Sequence, residues 1–274
     1  MSFSITPAMP VRAGAADEYE RFCVVFRHVC GIDLLQYKRG QMERRIRSFV
    51  ATRDGDPDLL AYAARLTTDK DELDRFLDRV TINVSQLWRN PQQWETLEEQ
   101  ILPELAESGR GRVRCWSAGS SYGAEAYTLA AVARRAIPGA HVSILGTDID
   151  ARMVQRARAG VFTAEDARDA PTATLASHFE LADGCWHASP ELKRLVRFAQ
   201  GDLLRVNPPA ASYDLVLCRN TVIYFNEDVR DALHGRLAAG LRTGGRLVVG
   251  ATERVSDPAG HGLEPDSPFV YRKS

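Results

Sequence analysis

Cysteine is scarce in this chain. Five residues in 274 make an odd number, and no two form a C-x-x-C pair. That usage reads as buried free thiols in a reducing compartment rather than as a disulfide framework. The six histidines make no metal-ligand spacing with the cysteines. Cys185-x-His187 is a lone pair in a loop-like stretch, so no metal is expected. No apolar run approaches the roughly 20 residues of a membrane helix, which argues against membrane insertion. The start MSFSITPAMP lacks the apolar core of a signal peptide, and the expectation is a cytoplasmic protein. Neither charge sign dominates: 35 Lys+Arg stand against 36 Asp+Glu, a formal net charge of −1. This balance argues against a general polyanion binder, though a local basic patch can hide in the average. Repeats and low-complexity tracts are also missing.

What is present is an ordinary globular composition, 45% hydrophobic, too apolar for disorder and long enough for one large domain or two modest ones. Residues 1–16 carry no periodicity and read as a flexible tail. Helical spacing follows without strand signals. Phe22, Val25, Phe26 and Val29 recur at i, i+3, i+4 and i+7 before a stop at Gly31. Met42, Ile46, Phe49 and Val50 repeat the pattern, as do Leu73, Phe76, Leu77 and Val80. Asn90-Pro91 reads as N-cap and first helical residue, ahead of Trp94, Leu97 and Ile101. A helical domain with its linker is therefore expected over residues 17–90.

Past Gly109-Arg110-Gly111 strands and helices alternate. Strands are expected at Val113–Trp116, His141–Thr147, Leu195–Ala199, Tyr213–Cys218 and Arg246–Gly250. Helices are expected at Glu125–Ala136, Ala151 to about Arg158, and Glu227–Leu241. Such alternation implies an α/β fold, a mostly parallel, doubly wound sheet covered on both faces, spanning residues 91–274. Phe269–Tyr271 suits a last, antiparallel strand. The alternation lapses over about 160–195, where Trp186 among Pro, Gly and Ser suggests a small insertion.

The turn Trp116-Ser117-Ala118-Gly119-Ser120-Ser121-Tyr122-Gly123 joins the first strand to its helix, where ligands bind in such folds. Its G-x-x-x-G spacing fails the dinucleotide fingerprint, and a purely structural turn fits as well. Asp148 ends the second strand, where a carboxylate can take both ribose hydroxyls. Asp148 or Asp150 can alternatively cap the helix opening at Ala151; the ribose falls to Asp148 and the cap to Asp150. A nucleoside-containing cofactor follows, with NAD and S-adenosylmethionine both open at this level.

Three segments narrow the choice. Thr81-Ile82-Asn83-Val84-Ser85-Gln86-Leu87-Trp88-Arg89 resembles the T-x-N-x-[ST]-x-[FL]-[FYW]-R segment of the CheR family of S-adenosylmethionine-dependent chemotaxis receptor methyltransferases. Trp116-Ser117-Ala118-Gly119 through Gly123, Glu125 and Tyr127 resembles its WSAGCSTGEEPYS turn. Cys218-Arg219-Asn220-Thr221-Val222-Ile223-Tyr224-Phe225 resembles its CRNVLIYF strand end. The order and spacing agree from about residue 18 to the final strand. The resemblance implies a small N-terminal helical domain followed by a class I methyltransferase, Rossmann-like sheet.

It further implies that Asn83, Ser85 and Arg89 contact the cofactor, with Gly119 in the turn. Glu125 would hold the methionine amino group and Asp148 the ribose. Asp202-Leu203 would lie beside the adenine, where the family usually has Asn-Leu. Arg219 and Asn220 would line the reacting end, with Arg89 and Tyr224 next to the transferred methyl. Ala124, Tyr122 and Ala126 depart from the family's turn, and Gly250-Ala251-Thr252-Glu253 from a segment often written G-[HS]-[ST]-E. Asp202 can accept from an adenine amino group but cannot donate to a ring nitrogen.

The implied reaction moves a methyl group to a receptor glutamate, leaving S-adenosylhomocysteine and a neutral ester. A glutamate with a pKa of about 4.3 is already an anion at neutral pH, so no general base is required; placement and desolvation remain. Arg89 could orient a carboxylate through its planar fork, and Tyr224 could donate one hydrogen bond; read without the resemblance, these two are a domain bridge and a core aromatic. The helix Tyr37–Arg53 carries Lys38, Arg39, Arg44, Arg45, Arg47 and Arg53 against the single acid Glu43. With its apolar side turned inward, Arg44 and Arg47 lie one turn apart on the other. Nucleic acid is disfavoured because no aromatics interleave the charges, and docking of an acidic receptor helix is preferred. Asn207-Pro208-Pro209 resembles the (D/N)PP(Y/F) motif of amino-group methyltransferases, but it precedes a strand and ends in Ala210, so it reads as a loop. Thr81–Ser85 and the C-terminal stretch look like the branch that works without a receptor-tail tether. The expectation is a monomer, with a small-molecule methyltransferase and a non-catalytic S-adenosylmethionine sensor as rivals.

Overall fold

The computed structural model describes residues 17–54, 58–81 and 85–274. The expected flexible tail 1–16 and Asn83 lie outside them. The chain divides into two compact units, Met1–Val80 and Thr81–Ser274. The helical unit thus ends at Val80, and Leu87 and Trp88 of the stretch expected as linker are buried in the core of the second unit.

The first unit holds α1 (Glu18–Cys30), α2 (Arg39–Asp54), α3 (Leu59–Leu66) and α4 (Lys70–Val80). α1 opens with a capping box: Glu20 N–H donates to Asp17 Oδ1 at 2.9 Å and Asp17 N–H to Glu20 Oε2 at 3.3 Å, meeting two donors the helix cannot use. It ends at Gly31 with φ 82°, a conformation open to glycine at little cost. The apolar faces meet in an aromatic cluster in which Phe76 packs against Phe22, Phe26, Phe49 and Tyr62 at centroid distances of 5.2–5.8 Å.

Beneath that cluster sits a carboxylate that periodicity did not flag. Glu72 is fully buried. It accepts from Tyr62 Oη at 2.7 Å, from Arg53 Nη2 at 2.9 Å and from Arg75 Nη2 at 2.9 Å. Burial by itself would raise its pKa, but these donors outweigh burial and hold it at about 2.

The second unit begins with α5 (Pro91–Thr96), a π turn at Leu97–Ile101 and α6 (Leu102–Ser108). The wider turn fits Pro103, which has no N–H for the regular ladder. Then follow β1 (Arg112–Ala118), α7 (Ala124–Ala136), β2 (His141–Asp148) and α8 (Ala151–Ala159). β3 (Val161–Thr163), α9 (Thr172–His178), β4 (Phe179–Ala182), β5 (Cys185–Ala188) and α10 (Pro190–Leu195) fill the expected insertion. β6 (Val196–Gln200), β7 (Tyr213–Cys218), α11 (Glu227–Gly240), β8 (Leu241–Val249), β9 (Leu263–Ser267) and β10 (Val270–Lys273) complete the chain.

Seven strands form one sheet in the order β6-β2-β1-β7-β8-β10-β9. The first five run parallel, while β10 is antiparallel to both β8 and β9. The last strand is antiparallel, as its sequence suggested. Its partner β9 had no sequence signal: Leu-Glu-Pro-Asp-Ser is polar, contains a proline and lies exposed at the sheet edge, where a missing N–H does no harm. The insertion forms its own antiparallel sheet, β3-β5-β4. Asn207-Pro208-Pro209 lies in the loop before β7. The order reverses between β1 and β7, and the carboxyl ends there form the crevice typical of such sheets.

Replacing Glu72 by Gln should lower stability by about 2 kcal/mol at neutral pH, because three donors lose a charged acceptor. The carboxylate's contribution is present above its ordinary value of 4.5 and is lost as pH falls through the folded value near 2. Thermal melts of both proteins between pH 7 and 2 should therefore converge at the acid end.

Candidate functional site

The turn after β1 is built on left-handed backbone. Gly119 has φ 79°, Ser121 φ 48° and Gly123 φ 88°. The N–H groups of Gly119 and Ser120 both donate to the Thr147 carbonyl at 2.9 Å, binding this turn to the end of β2. A side chain at position 119 would come within 2.7 Å of Thr221 Oγ1 in the loop after β7. Glycine is therefore required twice there, by φ and by space.

Asp148 ends β2 and is buried. Its Oδ2 accepts from Ser121 N–H at 2.7 Å and its Oδ1 from Asp150 N–H at 3.0 Å. Burial raises its pKa, while those amides oppose the rise. Asp150 caps α8 by accepting from Arg152 N–H at 2.9 Å, the cap expected of it. Gly201 N–H donates to the Asp148 carbonyl at 2.9 Å, so Asp202 and the buried Leu203 start right beside the end of β2. Asp202 Oδ1 accepts from Leu204 N–H at 2.8 Å, with Arg205 at 3.4 Å.

Glu125 stands in the first turn of α7 and receives Ser117 Oγ at 2.7 Å. Burial raises its pKa, opposed by Arg219, whose Nη1 is 3.4 Å from Oε2. That is a loose contact for a charged pair, and it leaves Glu125 capacity for another cation.

Arg219, just past β7, exposes only 3% of its side chain. Nε donates to Gln93 Oε1 at 2.9 Å; Nη2 donates to the Arg89 carbonyl at 2.5 Å and to Asn90 Oδ1 at 3.3 Å. Its guanidinium also lies 4.8 Å from the Trp94 ring centroid, and Trp94 Nε1 donates to the same Arg89 carbonyl at 2.9 Å. The fork expected to line the reacting end is thus taken up by the protein, chiefly in holding residues 89–94. Trp88 and Asn90, on either side of Arg89, have φ 55° and 60°. Asparagine takes such values readily, whereas a tryptophan adopts them only where the surroundings impose them.

Ser85 contributes its carbonyl, which accepts from Tyr122 Oη. Tyr224 lies half-buried in a 3-10 turn, Val222–Tyr224, and its hydroxyl has no hydrogen-bond partner among the described residues. Asn220 has φ 58°, with its N–H donating to Glu253 Oε2 at 2.8 Å; Gly250 N–H reaches the same oxygen at 2.6 Å.

Three supports had not been singled out. Gln93 bridges Arg219 to the Val249 carbonyl through Nε2 at 3.0 Å. Glu253 clamps the loops after β7 and β8, and Trp94 floors Arg219. Trp94 was visible only as an apolar helix position. Glu253 stood in a quoted segment without a role, and a polar Gln93 beside Pro91 gave no signal.

In the first unit the five arginines of α2, and Lys38 just before it, are less free than their run suggested. Arg47 pairs with Glu18 at 3.0 Å and with Glu43 at 2.9 Å. Arg39 pairs with Asp17 and Glu43, Arg53 with Glu72, and Arg45 reaches the Arg79 carbonyl at 3.4 Å. Lys38 and the exposed Arg44 have no ion-pair partner among the described residues.

A parallel sheet closed by an antiparallel hairpin, a glycine turn after its first strand and a buried acid ending its second define a class I S-adenosylmethionine-dependent methyltransferase. Residues 17–81 match the CheR methyltransferase all-alpha domain and residues 83–262 the CheR methyltransferase SAM binding domain. The chain belongs to the CheR methyltransferase family. A chemotaxis protein methyltransferase of Listeria innocua is 34% identical over 94% of this chain and 97% of its own length. Its counterpart in Listeria monocytogenes is 33% identical over the same shares, and that of Borreliella burgdorferi 27% identical over 94% of both chains. Among the described residues no cluster of His, Cys, Asp and Glu could hold a metal, and no helix is long and apolar enough to cross a membrane.

Glu125→Gln should weaken S-adenosylmethionine binding about 10- to 100-fold, the worth of one charge-assisted hydrogen bond of 1.5–3 kcal/mol. Calorimetric titration of both proteins measures it, and an unchanged affinity would remove Glu125 from the cofactor's ammonium.

Proposed function

We propose that this protein methylates glutamate side chains in the cytoplasmic helical region of bacterial chemoreceptors, forming methyl esters and S-adenosylhomocysteine. The observation that carries the reading is the enforced backbone at Arg89: flanked by two left-handed residues, its carbonyl is held by Arg219 and Trp94. Strain of the kind Trp88 carries gathers at functional sites, and the residue next to it bears a guanidinium of the type suited to a carboxylate.

The residues suit S-adenosylmethionine. Buried Glu125 has spare capacity for the ammonium, and Asp148 offers acceptors for ribose hydroxyls. Gly119 leaves room where a side chain would collide. Leu203 gives an apolar neighbour for adenine, with Asp202 accepting from its amino group. Asn83 and Ser85 belong to the same contacts by the family resemblance. When bound, the cofactor supplies an electrophilic methyl on a sulfonium.

The chain's own work is then positional. The acceptor carboxylate is ionised at neutral pH and needs no proton removed. Arg89 orients it, and the Tyr224 hydroxyl can donate to one of its oxygens, leaving the other to react. Asn220, fixed through Glu253, shapes the wall beside Tyr224. Arg44, with Arg47 next to it, would meet the acidic receptor helix. A small-molecule acceptor gains some support from the ion pairs that occupy most of α2's cations, and the experiment separates the two.

Methyl-labelled S-adenosylmethionine is incubated with the protein and with membranes carrying chemoreceptors, and base-labile label is counted. The expected result is labelled receptor, falling about 100-fold with Arg89→Ala and about tenfold with Tyr224→Phe, or some 2.7 and 1.4 kcal/mol of barrier. Arg44→Glu should reduce receptor labelling while cofactor affinity stays unchanged. Tight cofactor binding with no label on any receptor would sink the substrate assignment and favour the sensor.

A further inference from the structure

A second concave site lies at the opposite end of the sheet. β1 and β2 begin with Arg112-Val113-Arg114 and His141-Val142-Ser143, paired in parallel so that Arg112 stands beside His141 and Arg114 beside Ser143. Val113 and Val142 are buried, whereas the other four are exposed. Strand alternation therefore puts these four on one face. Two residues along a strand span about 6.6 Å and neighbouring strands lie about 4.8 Å apart, so the quartet forms a compact polar rectangle. Arg110, at φ 52° in the turn between α6 and β1, adds a third cation, and Arg242 a fourth. Together they line a cleft of about 680 Å³, within the usual size of small-molecule sites.

The charge in this cleft is unbalanced. Its only carboxylate, Asp214, is already taken: it accepts from Arg242 Nε and from Arg114 N–H at 2.6 Å. Arg242 is further fixed by donating to Ser108 Oγ at 2.8 Å. Arg110, Arg112 and Arg114 have no ion-pair partner among the described residues. This contrasts with the arginines of α2, most of which are paired. Like charges gathered in a concave wall focus a positive potential, and arginine forks match phosphate oxygens two at a time.

We propose that this cleft binds a small molecule carrying two adjacent phosphate groups, a nucleoside diphosphate or inorganic pyrophosphate. Arg112 and Arg114 grip the two phosphates, His141 and Ser143 supply further donors, and Arg110 closes the rim. β1 has seven residues, about 20 Å of strand, and Asp148 and Gly119 lie at its far end. The ligand and S-adenosylmethionine therefore bind at separate places, and this site does not depend on the methyl acceptor assigned above.

The test is calorimetric titration of the full chain, saturated with S-adenosylhomocysteine, at physiological ionic strength. Inorganic pyrophosphate and adenosine diphosphate are the probes in separate arms. One-to-one binding is expected, at least tenfold weaker in the double variant Arg112→Ala, Arg114→Ala and unchanged in Arg197→Ala, an exposed arginine on β6. Both substituted side chains are exposed and without ion pairs, so the double variant should melt with the parent. If it does not, Arg112→Lys with Arg114→Lys keeps the charge while removing the forks, and weaker binding is again expected. Tighter binding of adenosine diphosphate than of pyrophosphate would assign a nucleotide, and the reverse would assign the bare diphosphate. No saturable binding to the S-adenosylhomocysteine-loaded protein, equal affinity in the arginine variants, or tighter binding of duplex DNA in a further arm than of both probes would overturn the proposal.

Discussion

A guanidinium removed from water holds its charge only when its donors are met, and Arg219 meets them with four groups from three parts of the second unit. Gln93 and Asn90 come from the start of α5, the Arg89 carbonyl from the segment before it, and Glu125 from α7. Burial lowers the arginine's pKa, while Glu125 pulls the other way. Removing any partner leaves a buried donor unmet, which costs more than the bond itself contributes. The result is a rigid joint between the end of β7, the helix after β1 and the chain that carries Arg89.

That joint explains why so much unusual backbone gathers here. Trp88, Asn90, Ser121 and Asn220 are all left-handed without being glycine. Each is held by nearby bonds: Trp88 N–H to Thr128 Oγ1 at 3.1 Å, Asn90 Oδ1 from Arg219, Ser121 N–H to Asp148, and Asn220 N–H to Glu253. The carboxylates serve two ends. Asp148 and Glu253 organise loops through backbone amides, whereas Glu125 keeps capacity that a cationic ligand can use. The first unit solves a similar problem around Glu72, with Arg53, Arg75 and Tyr62 closing on one acid.

Most of the architecture was legible because the parallel strands are short apolar runs between helices with clear caps. Tyr213–Cys218 and the helix after Asp150 fall where periodicity put them. The polar edge strand β9 was invisible, since neither face of Leu263–Ser267 needs to be apolar. α3 escaped separate notice because Ala63 stands in its apolar row and weakens the period. At the site, Asp148 and the glycine turn could be read from position after a strand, whereas Glu125 was marked only by the family's motif. Arg219 could be found but not understood: a motif names the residue, while its saturation by Gln93, Asn90 and a main-chain carbonyl depends on folding distant segments together. The α2 run misled for a related reason. Its compensating acids, Glu18 and Glu72, lie on other helices, and counting charges along one helix omits them.

Arg219 is the clamp that fixes Arg89, and Arg219→Lys tests this most directly. Lysine keeps the charge but cannot bond Gln93, Asn90 and the Arg89 carbonyl together. Amide hydrogen exchange on the full chain, read alongside S-adenosylmethionine affinity, should show faster exchange confined to about residues 88–94 and weaker cofactor binding, with the sheet amides unchanged. Unchanged exchange over that segment together with unchanged affinity would contradict the clamp.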